Sequence, residues 1–375
     1  MTTFSVQIIK TLRQNEIQVP VLVDEITLER NYNSSAATLN FTCLKDENLS
    51  FSMGDIVVFL VDYKTVFRGR VFKKSRGSDK KIQVTAYDSL RYLLNEDTVV
   101  LGQDDTKKGY YTLKDLLDKI KGILKGYSFT LNYKITDDEI SSVRLDPVVY
   151  EDKSYVDMIF DTCEKIKTKK GLNLTIYDDD GKIVICNIND LIMESKTWND
   201  PNSIDTSIYA TRYVIPEIPG KELNRYAVSN DNIEDFSHEE SIDDDVYTVA
   251  KLTTDGENAS KTKSHLEFAS ENYLKQYGPL VYREQLEQKD FERTGKAIIK
   301  EKGAPKNTFS VTGCEGWSDV RGGTGLYVYN VDVGHTIYRE FMLVKEVTHR
   351  FKGRSHTMDL KFINHPKFSS ISRME

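Results

Sequence analysis

The chain has 375 residues, 39% hydrophobic and 29% charged, the make-up of an ordinary globular protein too long for one core and sized for two to four domains. With 51 basic against 58 acidic residues its net charge is −7, which argues against a dedicated nucleic-acid binder, whose surface needs a concentrated basic footprint. An acidic wall along a passage for DNA is still compatible with that charge.

The four cysteines (Cys43, Cys163, Cys186, Cys314) are scattered, with no CxxC spacing, so reduced buried thiols and synthesis in a cytosol are expected. The opening MTTFSVQIIKTLRQ has no apolar h-region, so no signal peptide is expected. The longest apolar run, Ile56 to Val61, has the length of a strand and is far too short to span a membrane.

In chain order, residues 1–97 read as nearly continuous strand. FSVQII, ITLER, ATLNFTC, DIVVFLV, TVFRGRVF and KIQVTAY alternate or run apolar between polar or Gly-containing turns, the pattern of a small β-barrel or sandwich. Tyr (21) and Phe (16) far outnumber Trp (2), which fits many half-buried strands. From Asp88 to Leu94, DSLRYLL, the apolar spacing turns helical.

Residues 98–202 read as an α+β domain. Thr112 opens TLKD, a capping-box-like start to an amphipathic helix with Leu113, Leu116, Leu117, Ile120 and Leu124 on one face. Ser154 opens a second helix, SYVD, continued by Val156, Ile159, Phe160, Cys163 and Ile166, with Gly171 placed to end it. LNLTIY and KIVICNI then flank Asp178–Gly181, whose Asp-Gly dipeptide predicts a hairpin.

Residues 203–255 return to strand (SIDTSIYATRYVIP, ELNRYAVS, VYTVAKLTT) around an acidic loop with Asp243, Asp244 and Asp245. With 306–367 they form an expected second β-barrel domain. Residues 256–305 read as a helical insertion in two pieces. The first ends near Tyr277, Gly278 and Pro279; the second runs from about Lys289 to Lys302, before Gly303 and Pro305. Residues 368–375 are a tail. The fold class expected is mainly β with α+β insertions: two similar small β-barrel domains, an α+β domain and a helical insertion.

Two distant stretches repeat one unit. Val66 to Asp88 reads VFRGRVFKK, a basic turn SRGSDK, then KIQVTAYD; Phe341 to Ile363 reads FMLVKEVTHRF, KGRS, HTMDLKFI. Each is a period-2 hairpin, and a similar β-unit at both ends lets a chain match a higher symmetry when it oligomerises. If KGRS is a four-residue loop, Glu346 faces Lys361, Val347 faces Leu360 and Thr348 faces Asp359. The two-residue-loop alternative is read as setting Glu346 against Asp359, a like-charge clash, so the four-residue loop is preferred.

The motifs that could carry chemistry are each incomplete. Gly316, Trp317, Ser318 and Asp319 begin like a GxSxG nucleophile elbow, but Val320 stands where the last Gly is required. His238, Glu239, Glu240, Ser241 and Ile242 begin like HExxH without its second His. Arg321 to Gly325 is glycine-rich, but no GK[ST] follows and a strand, Leu326 to Tyr329, comes next. Asp178–Gly181 lacks the first ligand of an EF-hand loop (Ile176) and its closing Glu. His335, His349 and His356 are three of six histidines; His349 and His356 share a face without converging cysteines or carboxylates for zinc. No catalytic, cofactor or metal residue is therefore assigned, and the chain is read as no enzyme.

Ordered along the chain, these pieces resemble the baseplate hub proteins of contractile-tailed phages and phage-like particles, above all the hubs of PBSX-type defective prophages and R-type bacteriocins of Gram-positive bacteria. The resemblance is carried by Thr65–Val71 leading to Val84–Asp88 and Leu90–Leu93, by Tyr277 and Gly278 and the helix before Asn307–Val311, and by Phe341–Lys345 through His349 with His356–Met358. The segment Tyr327 to Tyr338 is longer than the family pattern.

The resemblance implies a homotrimeric, pseudo-sixfold ring that joins the tail tube, or a tube initiator, on one face to the central spike on the other. A tape-measure protein would lie in the channel, with no specific nucleic-acid binding and no membrane insertion. The chain would be made in the host bacterial cytoplasm and assembled into the baseplate of a phage tail or tail-like bacteriocin. The competing readings are a tail-associated peptidoglycan hydrolase, which needs a catalytic constellation, and a carbohydrate-binding tail-tip module, for which Trp198 and Trp317 offer thin aromatic platforms.

Overall fold

The computed structural model describes residues 2–12, 16–33, 36–77, 79–102, 109–127, 129–191, 228–243, 245–254, 264–286, 291–334 and 337–363. The expected strands between 203 and 227, Trp198, His335 and the 368–375 tail lie outside the described residues. The elements begin with β1 (Phe4–Ile9), β2 (Ile17–Gln18), β3 (Leu22–Glu29), β4 (Thr38–Leu44), β5 (Ile56–Val61), β6 (Lys64–Arg76), β7 (Lys81–Tyr87) and β8 (Glu96–Leu101). Next come α1 (Leu113–Gly126), β9 (Tyr133–Ile135), α2 (Asp138–Ser141), β10 (Val148–Ser154), α3 (Tyr155–Lys170), β11 (Leu174–Asp179) and β12 (Lys182–Asn187). They continue with β13 (Asp235–Ser241), β14 (Val249–Thr254), β15 (Ser264–Phe268), α4 (Glu271–Tyr277), β16 (Val281–Leu286) and α5 (Phe291–Lys302). The last four are β17 (Lys306–Glu315), β18 (Gly325–Asp332), β19 (Ile337–Lys352) and β20 (Ser355–Ile363).

The fold is mainly β with α+β insertions, in two compact units: Met1–Asp235 with Val311–Lys361, and Phe236–Ser310 with Phe362–Glu375. In the first unit the strands lie in the order β17-β20-β19-β3-β4-β7-β6-β5-β1-β2, with β18 also against β19. All six strands expected in residues 1–97 are present. Their alternation is the cause: Leu39, Phe41 and Cys43 of β4 and Ile82, Val84 and Ala86 of β7 are buried while their neighbours are not. Gly69 lets β6 pass close to β7, since a Cβ there would lie 2.3 Å from the Tyr87 carbonyl oxygen.

The helices start and stop where their caps dictate. The Thr112 hydroxyl accepts from the Asp115 N–H at 3.2 Å and the Asp115 carboxylate accepts from the Thr112 N–H at 2.9 Å, a complete capping box on α1. Its whole expected apolar face, Leu113 through Leu124, is buried. Ser154 caps α3, and Gly171 ends it at φ 71°. The hairpin β11–β12 turns on Asp180 (φ 51°) and Gly181 (φ 83°), the left-handed pair that an Asp-Gly turn requires. These elements enclose a core of their own, with Leu116, Ile120, Tyr155, Ile159 and Ile185 at its centre.

The second unit corrects one expectation. The stretch read as a helical insertion carries two strands besides α4 and α5, and β14 joins them in a three-stranded sheet ordered β15-β14-β16. β15 alternates Leu266 and Phe268 (51% exposed) with His265 and Glu267, but over only five residues and with its apolar side chains toward solvent, so the strand signal is short and weak.

The repeat extends well beyond one hairpin. β3, β4, β5, β6 and β7 lie in the sheet order β3-β4-β7-β6-β5; β13, β17, β18, β19 and β20 lie in the order β13-β17-β20-β19-β18. Each set has the same chain order and neighbours, with one long strand (β6, 13 residues; β19, 16 residues) that pairs with the strand before it through its first half.

The C-terminal hairpin is tighter than expected: β19 runs to Lys352, β20 starts at Ser355, and Gly353 at φ 63° makes a two-residue turn in place of the four-residue loop. Glu346 nonetheless meets Lys361 at 3.8 Å, and Asp359 pairs with Arg350 at 2.7 Å.

β19 also binds β3, with Thr348–Phe351 opposite Ile26–Glu29. This carries Phe351 (1% exposed) into the N-terminal core, its ring 4.9 Å from Phe59 and 5.7 Å from Phe4. Phe351→Ala is expected to cost about 3–5 kcal/mol in urea denaturation. Leu12→Ser, at a 93% exposed side chain, is expected to leave the midpoint unchanged.

Candidate functional site

Three of the stretches singled out in the sequence converge within the first unit. The Ser318–Arg321 loop, the Asp178–Asp180 turn and the Asp88 corner line a cleft of about 290 Å³, together with Arg30 at the end of β3 and Lys64–Arg68 of β6. Arg30 holds the loop in place: its guanidinium donates to the Ser318 carbonyl at 3.0 Å, and its own carbonyl accepts from the Gly322 N–H at 3.0 Å. Arg68 closes another wall by pairing with Asp180 at 2.5 Å, and Arg321 lies over the Tyr177 ring at 4.2 Å.

Asp88 is buried, and burial followed by repulsion from Asp178 raises its carboxyl well above the usual carboxylate range. Asp178 is raised too, first by burial. Desolvation, with Arg321 beside it, pulls Arg30 down to about 9. Two raised carboxyls in one cleft could form an acid–base pair, but all four of their oxygens are engaged by backbone. Asp88 accepts from the Leu90 and Ala37 N–H groups, and Asp178 from those of Ser89 and Gly181. They fasten the corner and the turn.

The other motifs have structural uses as well. Around Arg321–Gly325 the N–H groups already have protein acceptors: Arg321 donates to Thr324 Oγ1, Gly322 to Arg30, Gly323 to Val344 and Thr324 to Arg321. These four N–H groups are therefore not free to cradle a phosphate. Gly322 is required there, because a Cβ would fall 2.0 Å from the Tyr32 nitrogen.

His349 is buried; its Nε2 faces the Val320 carbonyl at 2.9 Å and its Nδ1 faces His356 Nε2 at 3.0 Å, so neither nitrogen addresses Ser318 as a base. His238–Ile242 lies on and just after β13, remote in the chain from any second His of an HExxH set. Among the described residues no three His, Cys, Asp or Glu side chains gather as metal ligands. Sequence reasoning missed Arg30 as the residue that joins β3 to the 318–322 loop; a single arginine after a strand gives no signal.

The same fold occurs in phage tail proteins. The 43 kDa tail protein of prophage MuSo2 from Shewanella oneidensis matches at 11% identity and TM-score 0.62, over 97% of this chain and 98% of that one. Prophage tail protein gp18 from Listeria monocytogenes matches at 11% identity and TM-score 0.57, over 98% and 97%. A chain of the Francisella PdpA–VgrG complex in its half-lidded form matches at 9% identity and TM-score 0.51, over 98% of this chain and 59% of that one. No curated protein sequence matches. The family model described as YQBQ-like matches residues 26–363, and the chain belongs to that family.

The histidine pair sets a testable pH dependence. Burial lowers His349 well below its usual value and lowers His356 to about 4. Their contribution is therefore complete above about 6.5 and is lost as pH falls toward the folded-state values. Asp88 and Asp178, whose carboxyls are raised, act with the opposite sign: their contribution is present at low pH and is lost as pH rises through their folded-state values. Between pH 6 and 4.5, His356→Gln is expected to flatten the fall in unfolding free energy by about 1.4 kcal/mol per pH unit, read from urea titrations at each pH. Parallel curves for variant and parent would refute this assignment.

Proposed function

We propose that this chain is the structural hub of a baseplate in a contractile injection machine, a phage tail or a tail-like bacteriocin. Three copies form a ring with two similar β-modules each, giving six similar positions. A tail tube or tube initiator sits on one face and a spike on the other, with a tape-measure protein in the channel. The β-modules are residues 1–97 and 203–255 with 306–367. The α+β domain is 98–202 and the insertion is 256–305, and the chain is made in a bacterial cytoplasm before it joins the particle. The role is load transfer and symmetry matching, without turnover.

One observation carries this reading: the strand order β3-β4-β7-β6-β5 recurs as β13-β17-β20-β19-β18. Two like modules per chain are what three copies need to meet a sixfold partner. Support comes from the fold shared with prophage tail proteins and with a chain of a VgrG complex, and from backbone engagement of every carboxylate oxygen of Asp88 and Asp178. Sedimentation of the purified chain should give three times the mass of one chain, and averaged electron micrographs should show a threefold ring with six similar lobes. A twofold particle, or six lobes of two plainly different shapes, would sink the proposal.

A further inference from the structure

We infer that the outer edge of β13 is the docking edge for β6 of a second copy of this chain. This rests on the hub reading and names the contact through which its copies meet. Within one chain, β3 opens the first five-strand set and has its outer edge covered by β19, the long strand of the second set. That cover begins where β19 has run past β18, whose pairing with it ends at Gly325 opposite Leu343.

In the second set β13 holds the place of β3, and among the described residues no strand lies outside it. In the first set β6 holds the place of β19. It too outruns its neighbour: pairing with β5 ends at Ile56 opposite Arg70, while β6 continues to Arg76. A contact of one kind is filled within the chain, and its counterpart has, among the described residues, both edges but no neighbouring strand. An uncovered strand edge is a template for main-chain hydrogen bonds with another strand.

Charge has the same polarity in both contacts. In the filled one, the long strand supplies the cation and the opening strand the acid, Arg350 pairing with Glu25 at 2.9 Å. In the open one, Lys73 and Arg76 are exposed on β6, and Glu239 and Glu240 are exposed on β13. Because the two edges differ, the contact is head-to-tail, and such contacts build rings when the rotation closes. Filled and open contacts then alternate around three copies.

The test is a charge swap in the full chain, with folding of each variant followed by circular dichroism. Lys73→Glu with Arg76→Glu, and Glu239→Lys with Glu240→Lys, are each expected to raise the trimer dissociation constant at least ~10-fold in sedimentation. The chain carrying all four changes is expected to recover most of the loss. Carbodiimide treatment of mixed light- and heavy-isotope parent chains should join Lys73 to Glu239 or Glu240 in mixed-isotope peptides. A trimer whose stability ignores both one-sided reversals and yields no such peptide overturns the β6–β13 contact and leaves the hub standing. A parent chain that stays monomeric and yields no mixed peptide overturns both.

Discussion

Four residues of β3 lie opposite four residues of β19, and the ion pair Arg350–Glu25 that flanks them joins positions 325 apart in the chain. Closing a loop of that length costs about 5 kcal/mol by chain entropy alone. Four backbone pairings at about 1 kcal/mol each and burial of Phe351 at about 2–3 kcal/mol offset it. The margin is small, so the join needs its surroundings. Phe351 enters the core made by Phe4 and Phe59, and Arg30, Gly322 and Tyr32 bring the 318–325 loop against the end of β3.

The cleft beside that join buries carboxyl groups whose oxygens are already engaged by backbone. A catalytic carboxyl needs an oxygen open to substrate, whereas those of Asp88 and Asp178 are held by amide donors from three different segments. Burial raises the free energy of their ionised forms and the backbone donors offset part of that, while tying together the corner after β7 and the turn after β11. The histidine pair follows the same logic, with each ring held by neighbours that leave little room for a proton.

The repeated strand order gives these local details their larger meaning. Two sets of five strands share one chain order and one set of neighbours at different places on one chain. The family and the fold shared with phage tail proteins therefore describe this chain better than any single motif does.

Much of the local structure was legible in the sequence. The strands of residues 1–97, the capping box at Thr112, the Gly171 stop and the Asp180–Gly181 turn all follow from side-chain alternation, cap chemistry and left-handed backbone preference, which act within a few residues. The strand β15 in the insertion was not legible, because its alternation runs over five residues only and its apolar side chains are half exposed. The tight turn at Gly353 was missed because period-2 pairing alone does not say how far the strands run.

What only the tertiary structure decided is which edges meet: β3 with β19, Arg30 with the 318–322 loop, Asp88 beside Asp178. Those choices depend on steric fit and burial between segments 89 to 325 residues apart, and no short-range pattern encodes them.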